Sequence, residues 1–384
     1  MQDPIPSPAA LRAPFERHTG PTIGLEEELM LLEPETLELA PRAPEALELV
    51  GGDPRFKLEM PAAQFELLTR PCPTVAAAVA ELAAARRDLT AALAGRLRVA
   101  AAGTHPFSSG RGELNPNERY AAIEREYGEI AHRQLVFGLH VHVAVPGADR
   151  ALAVYNGLRS HLPTIAALAA NAPFYEGHDT GLASIRPKIS ELLPRQGVPP
   201  VIESWEAYAE ALRWGAAAGG VADARRWWWE LRLHPVHGTV EVRVPDSQTA
   251  VAGVAAVAAL VHALVSRLAA RHDAGEPLPL APTWRIEENR WAACRHGLDA
   301  RLADLVTGER VPARERLAAL LGDLAGEAER LGCAAELRGT RALLSAGGAE
   351  RQRALAAEHG LEGLTARLAD AFAADVVSGA EAPG

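Results

Sequence analysis

Four short segments carry side chains suited to holding divalent cations. GLEEELMLLE (residues 24–33) sets Glu26, Glu27 and Glu28 side by side among apolar residues, and LEMPAAQFELLT (58–69) adds Glu59 and Glu66. GLHVHVAV (138–145) supplies His140 and His142, and GTVEVRV (238–244) supplies Glu241 and Arg243. Alternate side chains of a strand share a face. Glu26 and Glu28 therefore point one way and Glu27 the other, while His140 pairs with His142 and Glu241 with Arg243. Each pair has an ordinary explanation of its own: a solvated sheet face, two hydrogen-bonded histidines, a cross-strand ion pair. Together they do not, because a merely wet face draws on Lys, Thr, Ser and Gln, whereas this one draws on Glu, His and Arg. Carboxylates crowded on one sheet repel one another unless cations offset the charge. Oxygen ligands with an imidazole suit magnesium or manganese better than zinc. Several such ions beside an arginine are the apparatus of phosphoryl transfer. No GxxxxGK[ST] loop and no GxGxxG after a strand occurs, so a nucleotide would be held mainly through its metals.

These residues need strands to carry them. Leu25–Leu32 contains no turn residue and reads as one strand, Phe56–Met60 as a second, and Arg96–Ala102 as a third ending in Gly103-Thr104-His105-Pro106. Leu135–Val145 alternates and stops at Pro146-Gly147; Trp227–Leu233 and Thr239–Val244 are joined by HPVHG. Helices are predicted from Thr74, a natural N-cap, to Gly95, and over 117–134, 149–170 and 203–218. The irregular succession lacks a βαβ rhythm. It predicts an α+β fold with a mostly antiparallel sheet. The span 171–204 is long and polar, and loops of that length usually act on something.

The composition supports small-molecule chemistry. Thirty-nine basic against 49 acidic residues give a charge of −10 with no acidic tail, so neither a nucleic-acid nor an anionic-membrane partner is expected. Cys72, Cys294 and Cys333 are far apart without a CxxC pair, which fits a reducing compartment and excludes a disulfide framework. The N-terminus lacks a basic start followed by an apolar stretch, so the cytoplasm is expected. Ala250–Val261 is mostly alanine and soon meets His262 and Arg267; it reads as a buried helix.

Taken in order, GLEEEL, LEMPAAQFELLT, GTHPF, GLHVHVAV, NAPFYEGHDTGLASIRP, WWWELRLHPVHGTVEVRVPDSQT and ENRWAACRHGLDA resemble the carboxylate-amine ligases related to glutamate–cysteine ligase, of the type 2 kind. The resemblance spans about residues 22–300. It implies a glutamine-synthetase-like catalytic fold, a curved, mostly antiparallel sheet flanked by helices. It also implies ATP and Mg2+ as cofactors, with Mn2+ as a substitute. In that family the glutamate γ-carboxylate becomes an acyl phosphate, and the cysteine amine displaces phosphate to give γ-glutamylcysteine. Matched motif by motif, the metal ligands fall on Glu26, Glu28, Glu59, Glu66, His140 and Glu241, and Arg243 falls against the transferring phosphoryl group. Arg186, Arg232 and Asn171 are candidates for holding nucleotide or amino acid. Glu230 departs from the usual WWDxR pattern, and His296 stands where tyrosine is common.

Other positions divide between two readings. Thr180, Ser184 and Arg186 share the long polar loop with Asn171, and Arg186 is suited to gripping a substrate carboxylate. His105 either acts at a strand end or sets a turn, and Trp227–Trp229 either pack or line a pocket. Residues 1–300 are expected to form the catalytic domain and 301–384 a helical annex on it, with a homodimer the expected assembly. Two rival readings are a zinc amidohydrolase using His140 and His142, which needs a parallel barrel, and a non-catalytic nucleotide- or amino-acid-binding relative. Neutralising Glu28 or Glu241 is expected to abolish turnover and relieve repulsion in the metal-free fold. Neutralising Glu27 is expected to be far milder.

Overall fold

A computed structural model describes residues 5–218 and 223–378, the side chains of 375–378 excepted. Residues 1–4 of the N-terminal segment and 379–384 of the tail lie outside the described residues. The strands are β1 (Ile23–Leu32), β2 (Phe56–Leu58), β3 (Gln64–Leu68), β4 (Arg98–Ala100) and β5 (Leu139–Ala144). Next come the small hairpin β6 (Phe174–Tyr175) and β7 (His178–Asp179), then β8 (Leu231–Leu233), β9 (Thr239–Val242), β10 (Arg301–Ala303) and β11 (Arg310–Pro312). Seven of them form one sheet in the order β2-β3-β1-β5-β9-β8, with β4 also on β1. All its ladders are antiparallel. The α+β class expected from the sequence is the one observed.

The alternation of each strand explains the layering. Leu25, Leu29, Leu31, Phe65, Leu67, Leu139, Val141, Val143, Val240 and Val242 join one large core. The opposite face carries the acids and imidazoles. Beyond Glu28 that same face of β1 turns apolar: Met30 and Leu32 pack with Phe137, Leu364 and Leu368, so the C-terminal helix closes one end of the polar patch.

The core side of the sheet is covered by helices. Thr74 caps Val75–Leu93 by accepting from the Ala77 amide, as expected. Val251–Asp273 is long and apolar enough to cross a membrane by composition alone, but 83% of its most apolar stretch is buried here, as the buried-helix reading requires. Helices Ala313–Arg330, Ala334–Ser345 and Gly348–Ser378 follow the β10–β11 hairpin, and Leu317, Leu337 and Phe372 enter the sheet's own core.

Several boundaries differ from expectation. Tryptophans 227–229 precede β8 instead of extending it, because Trp227 turns onto Tyr208 with ring centroids 5.4 Å apart. The predicted 149–170 helix breaks into Ala148–Leu158 and Leu162–Ala169 around a short 3-10 turn. Glu27 does face away from Glu26 and Glu28, yet it is fully buried against Arg86. Neutralising it would strand a buried guanidinium, so the milder effect expected of that change does not extend to stability.

Candidate metal and substrate site

Register brings the polar side chains together. Across β1 and β5, Glu26 stands opposite His140; across β1 and β3, Glu28 stands opposite Glu66. Across β5 and β9, His142 stands opposite Glu241, which β8 meets with Arg232. Opposed residues share a face, so five strands deliver one patch. Ligand atoms of Glu26, Glu66 and His140 lie within 4.8 Å of one another, as do those of Glu26, His142 and Glu241. Four expected ligands therefore converge, with Glu26 common to both groups. Glu28 and Glu59 stand beside them and line a cavity. His142, which the strand rule pairs with His140 but which the ligand set implied by the resemblance leaves out, belongs to this cluster.

Charge is unevenly compensated across the patch. Burial pushes Glu28 up to about 7 and raises Glu59. Burial together with Glu59, Glu26 and Glu28 raises Glu66 well above the usual carboxylate range. Burial works the same way on Glu26, but His142 and His140 outweigh it and hold that carboxyl well below its ordinary value. Glu241 is likewise held low against burial, here by Arg232 and Arg243. Arg232 reaches it at 2.6 and 2.9 Å and Arg243 at 2.5 Å. Burial and Arg243 lower His140 to about 4. Burial also opposes charge on His142, but Glu26 and Glu241 reverse the balance and raise it.

The donor set fits divalent cations. Nε2 of both His140 and His142 is buried without a hydrogen-bond partner. The His142 atom is 3.2 Å from Glu26 Oε1 and 3.9 Å from Glu241 Oε1; that of His140 is 3.8 Å from Glu28 Oε1. Orphaned imidazole nitrogens aimed at carboxylates suit a shared ion.

A cavity adjoins this patch, lined by Glu28, Glu59 and Arg243 together with Arg119, Tyr120, Trp228 and Arg186. Arg186 begins the short helix Arg186–Ser190 and donates to the Val244 and Arg243 carbonyls at 3.3 and 3.1 Å. Its Nε is buried and unpaired. Gly138 makes room for it: a Cβ there would sit 2.1 Å from Arg186 Nη2, and the Gly138 amide donates to Glu28 at 2.5 Å. Gly138→Ala is expected to leave the melting temperature near wild type, since only a guanidinium tip must move. Steady-state kinetics should show kcat/KM reduced about 10- to 100-fold through that displacement.

Other expected site residues sit elsewhere. Asn171 is absent from the cavity wall: its amide donates to the Ser247 carbonyl and its oxygens accept from Gln352, ties that leave it no free group. Thr180 bonds the Pro173 carbonyl and Ser184 bonds Asp246, so of the four polar loop residues only Arg186 reaches the cavity. Arg232 serves Glu241 and does not line the cavity. His105 sets a turn: Nε2 lies 2.9 Å from the Leu37 carbonyl, and Nδ1 accepts from the Phe107 and Ser108 amides. Glu230 does line the cavity, where Arg290 clasps it at 2.6–2.9 Å, whereas His296 lines a different hollow with Asp179 and Arg353. Asp246, which sequence reading missed, accepts from the Asn171 amide and Ser184 and stands 3.7 Å from Arg186.

An antiparallel sheet whose carboxylate–imidazole patch adjoins an arginine-lined cavity has the architecture and the site expected of the carboxylate-amine ligases. The model of glutamate-cysteine ligase family 2 matches residues 22–370. The chain is 41% identical over 363 residues to "Putative glutamate--cysteine ligase 2-3" of Rubrobacter xylanophilus, covering 92% of this chain and 97% of that one. It is 37% identical over 347 residues to "Putative glutamate--cysteine ligase 2" of Gloeobacter violaceus, covering 88% and 93%. Glutamate–cysteine ligase of Francisella tularensis, solved in complex with AMP, shares the fold at a TM-score of 0.68 and 13% identity, over 93% of this chain and 91% of that one. The chain belongs to glutamate-cysteine ligase family 2.

Proposed function

We propose that this chain is an ATP-dependent ligase of the cytoplasm that joins the γ-carboxylate of glutamate to the amine of cysteine. A γ-carboxylate oxygen attacks the terminal phosphorus of ATP, the bond to the bridging oxygen breaks, and ADP leaves. The amine nitrogen then attacks the acyl carbon, loses a proton and expels phosphate, giving γ-glutamylcysteine. The reading rests on one observation above all: Glu26 joins Glu66 and His140 in one ligand group, and His142 and Glu241 in another. Bound Mg2+, or Mn2+ in its place, would neutralise phosphate oxygens and lessen their repulsion of the carboxylate.

The chain's own residues supply the rest. Arg243, which lines the cavity, would face charge developing on the transferred group. Arg186 offers a guanidinium to the incoming carboxylate. Met60, Ile123 and Trp228 give the cavity apolar wall, which excludes water from the acyl phosphate. The glutamate–cysteine ligase of Francisella tularensis holds AMP in its solved complex, which supports a nucleotide for this chain.

The hydrolase alternative needs a parallel barrel, and the described sheet has only antiparallel ladders. Purified protein with ATP, Mg2+ and a panel of amino acids decides the matter by product mass. ADP and phosphate released only when glutamate and cysteine are both present are expected. Release with a different pair would move the substrates, and ATP-independent cleavage after zinc loading would favour the hydrolase.

A further inference from the structure

The back of β1 holds a polar pair that the chemistry does not use. Glu27 and Arg86 are both fully buried, and Arg86 lies on the otherwise apolar stripe of helix Val75–Leu93 formed by Ala78, Leu82 and Leu89. Its Nε donates to Glu27 at 2.8 Å, and Nη2 bonds the other carboxylate oxygen. The same guanidinium donates to the Gln248 carbonyl at 2.8 Å and the Thr249 carbonyl at 3.0 Å. Phe372 of the C-terminal helix lies under it, 4.4 Å from ring centroid to guanidinium carbon. Gln248 and Thr249 belong to the loop leaving β9, and that loop is pinned in turn to Phe137, Ala169 and Ala101 carbonyls.

Such a pair is poorly explained by stability. Taking two charges out of water costs several kcal/mol, and apolar residues of like volume often do as well or better. Leu25, Leu29 and Leu31 already set which face of β1 meets the core, and a one-residue slip would exchange Glu27 for Glu26 and Glu28 on the ligand face. What apolar residues cannot do is hold the one glutamate that falls on the core side at a fixed distance from the end of β9, and a guanidinium there can. The two carbonyl bonds add a second constraint, joining β1 to the end of β9 across the intervening β5.

We propose that Arg86 is a positioning residue for the metal site. It clamps Glu27 and the 248–249 carbonyls so that Glu26 keeps its spacing from Glu241 and His142. The proposal rests on reading the acidic face as a metal site. The direct probe is Mn2+ alone, titrated into the full chain with free Mn2+ read by electron paramagnetic resonance, which needs no turnover.

Glu27→Leu/Arg86→Met is expected to melt no lower than wild type yet to bind Mn2+ about tenfold or more weakly, the range in which groups behind metal ligands act. A folded double variant with wild-type Mn2+ affinity overturns the clamp. Arg86→Lys keeps a charge for Glu27 but cannot span both carbonyls; it is expected to fold and to show the same weakening. Unchanged affinity in that variant also overturns the proposal, whether or not the double variant folds. A wild-type chain that takes up no Mn2+ contradicts the metal reading itself, whereas equal affinities in wild type and variants contradict the clamp alone.

Discussion

Glu241→Gln is expected to abolish ligation and to destabilise the protein as well. Glu241 is fully buried and answers two guanidiniums, Arg232 and Arg243. Removing one partner from a buried ionic cluster costs about 3–5 kcal/mol, because the charges left behind stay desolvated. The same change removes a ligand from the Glu26, His142 and Glu241 group and frees Arg243 from its anchor. A loss in kcat on the order of 10³-fold or more follows from misplacing charge that must meet the transferring group. Product mass spectrometry and urea unfolding in chelator check the two halves separately.

Glu28→Gln is expected to be equally inactive but to stabilise the metal-free protein. Glu28 stands across from Glu66, and burial pushes it up to about 7 even though Arg186 and Arg243 favour its charge. Neutralising it removes the cost of burying that charge, and a glutamine oxygen can still accept from the Gly138 amide. Activity should fall on the order of 10³-fold, while the melting temperature in chelator rises by a few degrees. A drop in both would place Glu28 with Glu241. The sequence alone grouped the two residues; their partners separate them.

Alternation made most of the site legible. Apolar residues at every second position put Glu26, Glu28, His140 and Glu241 on one side of their strands, and the antiparallel register turned those faces toward each other. Less legible were features that depend on distant partners. Arg86 is 59 residues from Glu27, and only its place on an apolar helix stripe hints at burial. Asn171 sits in a polar loop that invites a ligand, yet its partner is Gln352, 181 residues away. The tryptophans before β8 have strong strand propensity but are drawn off by Tyr208 and Tyr127. His142 was passed over because the resemblance marked only the first histidine of its pair, though the strand rule assigns both to the same face.

The central claim is that acidic side chains from separate strands share divalent cations. Anomalous scattering at the manganese edge from crystals grown with Mn2+ tests it most directly. Expected are strong peaks between Glu26, Glu66 and His140 and between Glu26, His142 and Glu241. Crystals with manganese bound at other surfaces and none at these carboxylates would contradict it.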